Sequence, residues 1–151
     1  MATFTHASPI QATPEELYRF HENPHNIRAV SPPSLHILRV EAEETARPGE
    51  NFTLTLRQGP CTIRWAGRWE EAVPPESLID TAINGPFTVW RHQHLFHSQE
   101  DGSTLLTDRV TFQLPWYLGG ILADGIVRHL IFPSIFRARH SATRKWFSSP
   151  R

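Results

Sequence analysis

The chain has 151 residues and 17.3 kDa, with fifteen Lys and Arg balancing fifteen Asp and Glu and a pI near 7.1. That balance leaves no global field to draw in nucleic acid or an anionic membrane. A single cysteine, Cys61, excludes an internal disulfide and a cysteine-based zinc cluster, and no run approaches the roughly 20 apolar residues of a membrane span.

Residues 2–10 alternate weakly through Phe4, His6, Ser8 and Ile10 and read as a first strand. Thr13-Pro14-Glu15-Glu16 then supplies an N-cap, a proline for the first helical position and acids for the first turn, opening a short helix to about His21 that buries Leu17 and Phe20. Asn23-Pro24 opens a second helical turn holding Ile27 and Val30, ended by Ser31-Pro32-Pro33. Six extended runs follow at roughly 35–41, 50–58, 61–73, 77–84, 87–97 and 103–114, separated by Gly49, Gly59-Pro60, Pro74-Pro75, Gly85-Pro86 and Asp101-Gly102. Six strands on short turns predict an antiparallel meander. Beyond Trp116-Tyr117-Leu118-Gly119-Gly120, apolar residues from Leu122 to Trp146 recur at three- and four-residue steps, which predicts one long amphipathic helix with an interruption at Pro133. In this phase Ile126, Leu130 and Ala138 face the sheet, and His129 lies at the edge of the stripe. The expectation is a single cytoplasmic domain, residues 1–151, with no membrane insertion and no nucleic-acid partner. Nothing in the pattern specifies an oligomeric state.

Pro9-Ile10-Gln11-Ala12-Thr13-Pro14-Glu15-Glu16-Leu17-Tyr18 with Asn23-Pro24, Gly85-Pro86-Phe87, Trp90-x-His92-x-His94-x-Phe96, Leu106-Thr107-Asp108-Arg109-Val110-x-Phe112-x-Leu114-Pro115 and Phe136-x-Ala138-Arg139 carry a resemblance over nearly the whole chain. The sequence resembles the START-like, polyketide-cyclase and dehydrase proteins known as SRPBCC. The resemblance implies an α+β helix grip: a seven-stranded antiparallel sheet curved around a long C-terminal helix, with two short helices after the first strand. It also implies a pocket between sheet and helix. Family likeness of this kind speaks to fold more than to chemistry.

Strand alternation sorts the last two runs. From Leu106 the even positions are Leu106, Asp108, Val110, Phe112 and Leu114, which is the core face, while Thr107, Arg109, Thr111 and Gln113 form the other. A hairpin turning near Ser98 to Gly102 pairs positions that sum to about 200 or 202, so Trp90, His92, His94 and Phe96 point inward with them. In one register His94 faces Asp108; in the other His92 does. A carboxylate on an apolar face needs a partner or water. Two readings meet that need: a satisfied core network, or groups that line a pocket and orient a ligand. His92, His94 and Asp108 also have the ligand types of a two-histidine, one-carboxylate metal site, but the spacing is weak evidence and no metal or cofactor is assigned.

Trp65 and Trp69 share a face with Ile63 and Gly67, as a pocket wall or as ordinary core, and Gly67 leaves room beneath large rings. Arg128, Arg137, Arg139, Arg144 and Lys145 read as a solvated basic surface on the helix. The Trp116–Gly120 loop is placed at the cavity mouth as a gate or a packed corner. Cys61 is structural. No phosphate loop, serine elbow or His-Glu-x-x-His helix occurs.

The expected function is binding of a small apolar molecule, such as a lipid, polyketide or aromatic metabolite, by Trp65, Trp69, Trp90, His92, His94, Asp108, Phe112 and Ile126. The alternatives are a cyclase or dehydratase without metal, using His92 or His94 as acid or base oriented by Asp108, and a regulatory protein-interaction domain.

Overall fold

A computed structural model describes residues 1–149. Its strands are β1 (Ala2–Ile10), β2 (Leu35–Glu41), β3 (Asn51–Gln58), β4 (Cys61–Val73), β5 (Ser77–Asn84), β6 (Val89–Ser98) and β7 (Thr104–Gln113). They pair antiparallel in the order β1-β7-β6-β5-β4-β3-β2, so β2 to β7 form the expected meander and β1 returns to β7. The sheet is curved and carries a 29-residue C-terminal helix.

The first helix, α1 (Pro14–Glu22), is started by a capping box. Thr13 Oγ1 accepts from the Glu16 amide at 3.2 Å, and Glu16 Oε2 accepts from the Thr13 amide at 2.8 Å. Leu17, Tyr18 and Phe20 are its buried residues. After a 3₁₀ turn at Pro24–Asn26, α2 (Ile27–Val30) buries Val30.

The β6–β7 register is the one in which paired positions sum to 202: Trp90 with Phe112, His92 with Val110, His94 with Asp108 and Phe96 with Leu106. All eight of these side chains lie on the sheet's inner face, and all but Trp90 are buried. Two apolar clusters fill that side. One gathers Leu17, Phe52, Leu54, Trp69, Leu78, Phe96 and Leu106; the other gathers Phe4, Val110, Phe112, Phe132 and Phe136.

The long helix departs from its predicted phase. It comprises α3 (Gly120–Ile126), a π turn at Val127–Ile131 and α4 (Phe132–Ser148), with Pro133 in the first turn of α4. Within the π turn the Phe132 amide donates to Val127 O, a five-residue step. The extra residue rotates the facing stripe. Phe132, Phe136, His140 and Thr143 are the buried positions of α4, whereas Ile126 is 55% exposed and Leu130 is 70% exposed. The expectation that Ile126 and Leu130 face the sheet is thus corrected. Pro133 contributes because it has no amide with which to continue a regular ladder.

On β4, Gly67 lies opposite Phe52, and a Cβ built there would stand 2.4 Å from Phe52 Cζ and 2.7 Å from Cε2. Gly67→Ala should therefore cost about 1–3 kcal/mol by overpacking. Urea denaturation checks this, and the added substitution Phe52→Leu should recover part of the loss. An unchanged midpoint for Gly67→Ala alone would show that the ring yields freely.

Candidate functional site

Four strands and two helices bring a buried polar network to the join of the two apolar clusters. Asp108 on β7 is its hub, and it is 1% exposed. His92 Nε2 donates to Asp108 Oδ1 at 2.9 Å, and His140 Nε2 on α4 donates to Asp108 Oδ2 at 2.6 Å. His94 Nδ1 lies 2.9 Å from Asp108 Oδ1, a charge contact without the alignment of a hydrogen bond. His140 Nδ1 is in turn hydrogen-bonded to Ser8 Oγ of β1 at 2.7 Å.

The far sides of the two β6 imidazoles face Asp80 of β5. His94 Nε2 is 3.4 Å and His92 Nδ1 3.8 Å from Asp80 Oδ2, while Asp80 Oδ1 accepts from Trp90 Nε1 at 3.3 Å. His21, near the end of α1, donates from Nδ1 to Leu17 O at 2.7 Å and places its ring 5.5 Å from that of His94. The register explains the assembly, since Asp80 pairs with His92 and Leu78 with His94.

Burial and charge contacts set the protonation. Burial alone would push the Asp108 carboxyl up, but the hydrogen bonds from His140 and His92 and the contact with His94 outweigh it and hold the group well below the usual carboxylate range. Burial would push His94 down, and contact with Asp108 and Asp80 reverses this and raises it to about 9. Burial, then repulsion by His94, lowers His92 despite its bond to Asp108. The same two causes lower His21 to about 3. At neutral pH one imidazolium, His94, sits between two carboxylates, with His92 and His21 neutral beside it.

A cavity of about 390 Å³ opens against this network. Its apolar walls include Phe52, Leu54, Trp65, Trp90, Ile135 and Phe136; its ionisable groups are Asp80, His92, His94, His21 and Arg139, and Asn23, Asn26 and Gln58 add neutral polar groups. Trp65 and Trp90 meet edge to face at 4.7 Å, giving the wall a fixed aromatic corner.

Of the residues singled out from sequence, Trp65, Trp69, Trp90, His92 and His94 line this cavity. Asp108 does not; it lies beneath the imidazoles and reaches the cavity only through them. Phe112 is 0% exposed, packed on Phe132 with ring centroids 4.7 Å apart, and so is a core residue behind the wall. Ile126 points to solvent because of the π turn. The Trp116–Gly120 loop also lies outside the lining, with Trp116, Tyr117 and Leu118 exposed, neither gate nor packed corner. Among the described residues no helix is long and apolar enough to cross a membrane.

Asp80, His140, His21 and Ser8 were not foreseen. A signal existed for Asp80, whose even number places it with Leu78 on the inner face of β5, opposite His92 across the Gly85-Pro86 turn. His140 stands four residues after Phe136, and His21 four after Leu17.

No protein-family model matches the chain, and no curated protein matches it by sequence. Solved structures do. A structural-genomics protein from Chromobacterium violaceum superposes with a TM-score of 0.76 at 17% identity, covering 98% of both chains. One from Rhodobacter sphaeroides gives 0.77 at 16%, over 99% of this chain and 93% of the other. The di-domain ARO/CYC BexL from the BE-7585A biosynthetic pathway gives 0.79 at 16% over 99% of this chain, which spans 51% of that protein. At these identities the likeness is one of fold, and it establishes that this chain is built as a helix grip, a curved seven-stranded antiparallel sheet closed by a long C-terminal helix.

Proposed function

We propose that the protein binds a small, largely apolar molecule, such as a lipid, a polyketide or an aromatic metabolite, in the cavity between sheet and helix, and that it belongs to the START-like group its sequence resembles. The observation that carries this is the composition of the 390 Å³ cavity: a mostly aromatic and aliphatic wall into which the buried cluster of Asp80, His92 and His94 opens, with His21 and Arg139 beside it. Such a space suits a ligand whose apolar body fills the wall and whose single polar group is fixed by the cluster. The lone cysteine favours a cytoplasmic setting.

Two arms test the reading. Native mass spectrometry of freshly purified protein should show a retained small molecule. Titration with the apolar dye N-phenyl-1-naphthylamine should give one saturable site. Leu54→Trp, which fills the wall, should weaken the dye at least about tenfold, a change of 1.4 kcal/mol, while the unfolding midpoint stays near that of the parent. A bare mass together with dye binding indifferent to Leu54→Trp would defeat the proposal.

A catalytic reading is favoured by one specific observation. Two imidazoles of opposed protonation, His92 neutral and His94 charged, both face the cavity and share a carboxylate, an arrangement suited to moving a proton to and from one substrate. The fold likeness to BexL, itself described as an ARO/CYC, supports a cyclisation or dehydration as the reaction class. On that reading His94→Gln lowers turnover by about 10²-fold, against a few-fold loss of dye affinity for simple binding.

A further inference from the structure

We propose that Asp80, His92 and His94 form a binding site for one divalent first-row transition-metal ion, with Zn²⁺ and Fe²⁺ the best chemical matches. This goes beyond the cavity's proposed ligand and does not rest on it.

The first support is convergence. Asp80 Oδ2, His92 Nδ1 and His94 Nε2 all lie within 4.8 Å of one another, and the two nitrogens are 3.8 and 3.4 Å from the oxygen. Ligand atoms around a tetrahedral zinc, with bonds of about 2.0–2.1 Å, stand about 3.3 Å apart. Closing onto an ion therefore needs only small side-chain adjustments. Two imidazoles and a carboxylate are also the donor set that borderline divalent ions take with positions left open.

The second support is the layer behind the ligands. Metal-binding imidazoles characteristically give their other ring N–H to a carboxylate, which fixes the tautomer and aims the free lone pair. Asp108 supplies that carboxylate: it accepts from His92 Nε2 at 2.9 Å, and His94 Nδ1 is also 2.9 Å from the same oxygen. His140 then anchors Asp108 from α4 at 2.6 Å. In the sequence the carboxylate beside the two histidines is Asp108, with no metal assigned; the structure brings Asp80 to the open side of the imidazoles and sets Asp108 behind them. Asp80 Oδ1 is held by Trp90 Nε1, leaving Oδ2 for an ion.

The third support is charge and access. Asp80 on the cavity wall and Asp108 behind the imidazoles place negative charge on both sides of His92 and His94, which favours a cation there, and the other ionisable groups of the lining nearby are His21 and Arg139. All three ligands line the cavity, so an ion has an entry path and keeps coordination positions open to water or to a ligand oxygen. The ligands stand on two paired strands, Asp80 opposite His92, a rigid support for a fixed geometry.

The test is a Co²⁺ titration of chelator-treated protein, followed by the visible absorption of the bound ion. The expected result is one equivalent bound with Kd of about 10 μM or tighter. Asp80→Asn and His92→Gln should each weaken it by about 10²-fold, and Asp108→Asn by about 10–100-fold. His129→Gln, at an exposed histidine beside Arg128, should leave it unchanged and so separates this site from surface histidines. In the unaltered protein, paramagnetic broadening should single out the His92 and His94 ring resonances, which gives the assignment even where a variant fails to fold. Absence of binding at tens of micromolar, equal affinity in Asp80→Asn, broadening confined to other histidines, or loss of binding in His129→Gln would each overturn the site.

Discussion

Asp108→Ala should destabilise the metal-free protein by about 3–5 kcal/mol, the usual cost of removing one member of a buried charged network. For a domain of this size that corresponds to a fall in Tm of roughly 6–20 °C. The magnitude follows from what is stranded. Two imidazole N–H groups lose their acceptor, His94 loses one of the two carboxylates that hold its charge, and none of the three rings can turn to bulk water. Asp80→Asn should cost far less, about 1 kcal/mol or below, because its side chain borders the cavity and the amide keeps the bond to Trp90. Urea denaturation gives both values. A double-mutant cycle adds a sharper test: His140→Ala should be strongly destabilising alone and much less so in the Asp108→Ala background, since the two side chains act as one unit. Additive effects, or a loss under 1 kcal/mol for Asp108→Ala, would show that Asp108 is not the hub.

The parts of this site that were legible in the sequence are those governed by the two-residue period of a strand. Leu106, Val110 and Phe112 mark the inner face of β7, and a hairpin transfers that face to Trp90, His92 and His94 with an uncertainty of one register step. The ambiguity mattered less than expected. In the observed register His94 is directly opposite Asp108, yet His92, two residues away, makes the aligned hydrogen bond because its ring reaches diagonally along the face. What was not legible has two physical causes. Helix phase can be shifted by a single inserted residue, and the π turn at Val127–Ile131 moved the inward stripe onto Phe132, Phe136, His140 and Thr143. Contacts between distant segments, such as Ser8 with His140 or His21 with His94, depend on how helices dock on the sheet. No local period encodes that docking. Asp80 lies between these cases, because its face was readable while its significance required knowing that β5 pairs with β6.

Stability of the metal-free protein should peak near pH 6.5 and fall on both sides, for reasons carried by different histidines. On the acid side the controlling group is His21, whose folded value of about 3 lies below its unfolded value of 6.5. Between those limits the unfolded chain takes up a proton that the folded chain refuses, so stability is present above pH 6.5 and is lost as the pH drops, by at most about 1.4 kcal/mol per unit for this one group. His21 is only half-buried and borders the cavity, which makes that slope an upper value. His92 and His6 are lowered as well and add in the same direction, and Asp108 adds below the ordinary carboxylate range. His94 has the opposite sign. Its folded value of about 9 exceeds the unfolded 6.5, so its contribution is complete below pH 6.5 and disappears as the pH rises through 9. Urea titrations from pH 4.5 to 9 in the presence of chelator should trace this dome. His21→Leu should flatten the acid limb by up to the stated slope while leaving the alkaline limb intact, and His94→Gln should do the reverse. A profile level between pH 4.5 and 6.5, or an acid limb unaffected by His21→Leu, would mean that the imidazole at the foot of α1 is not held neutral by its burial beneath β6.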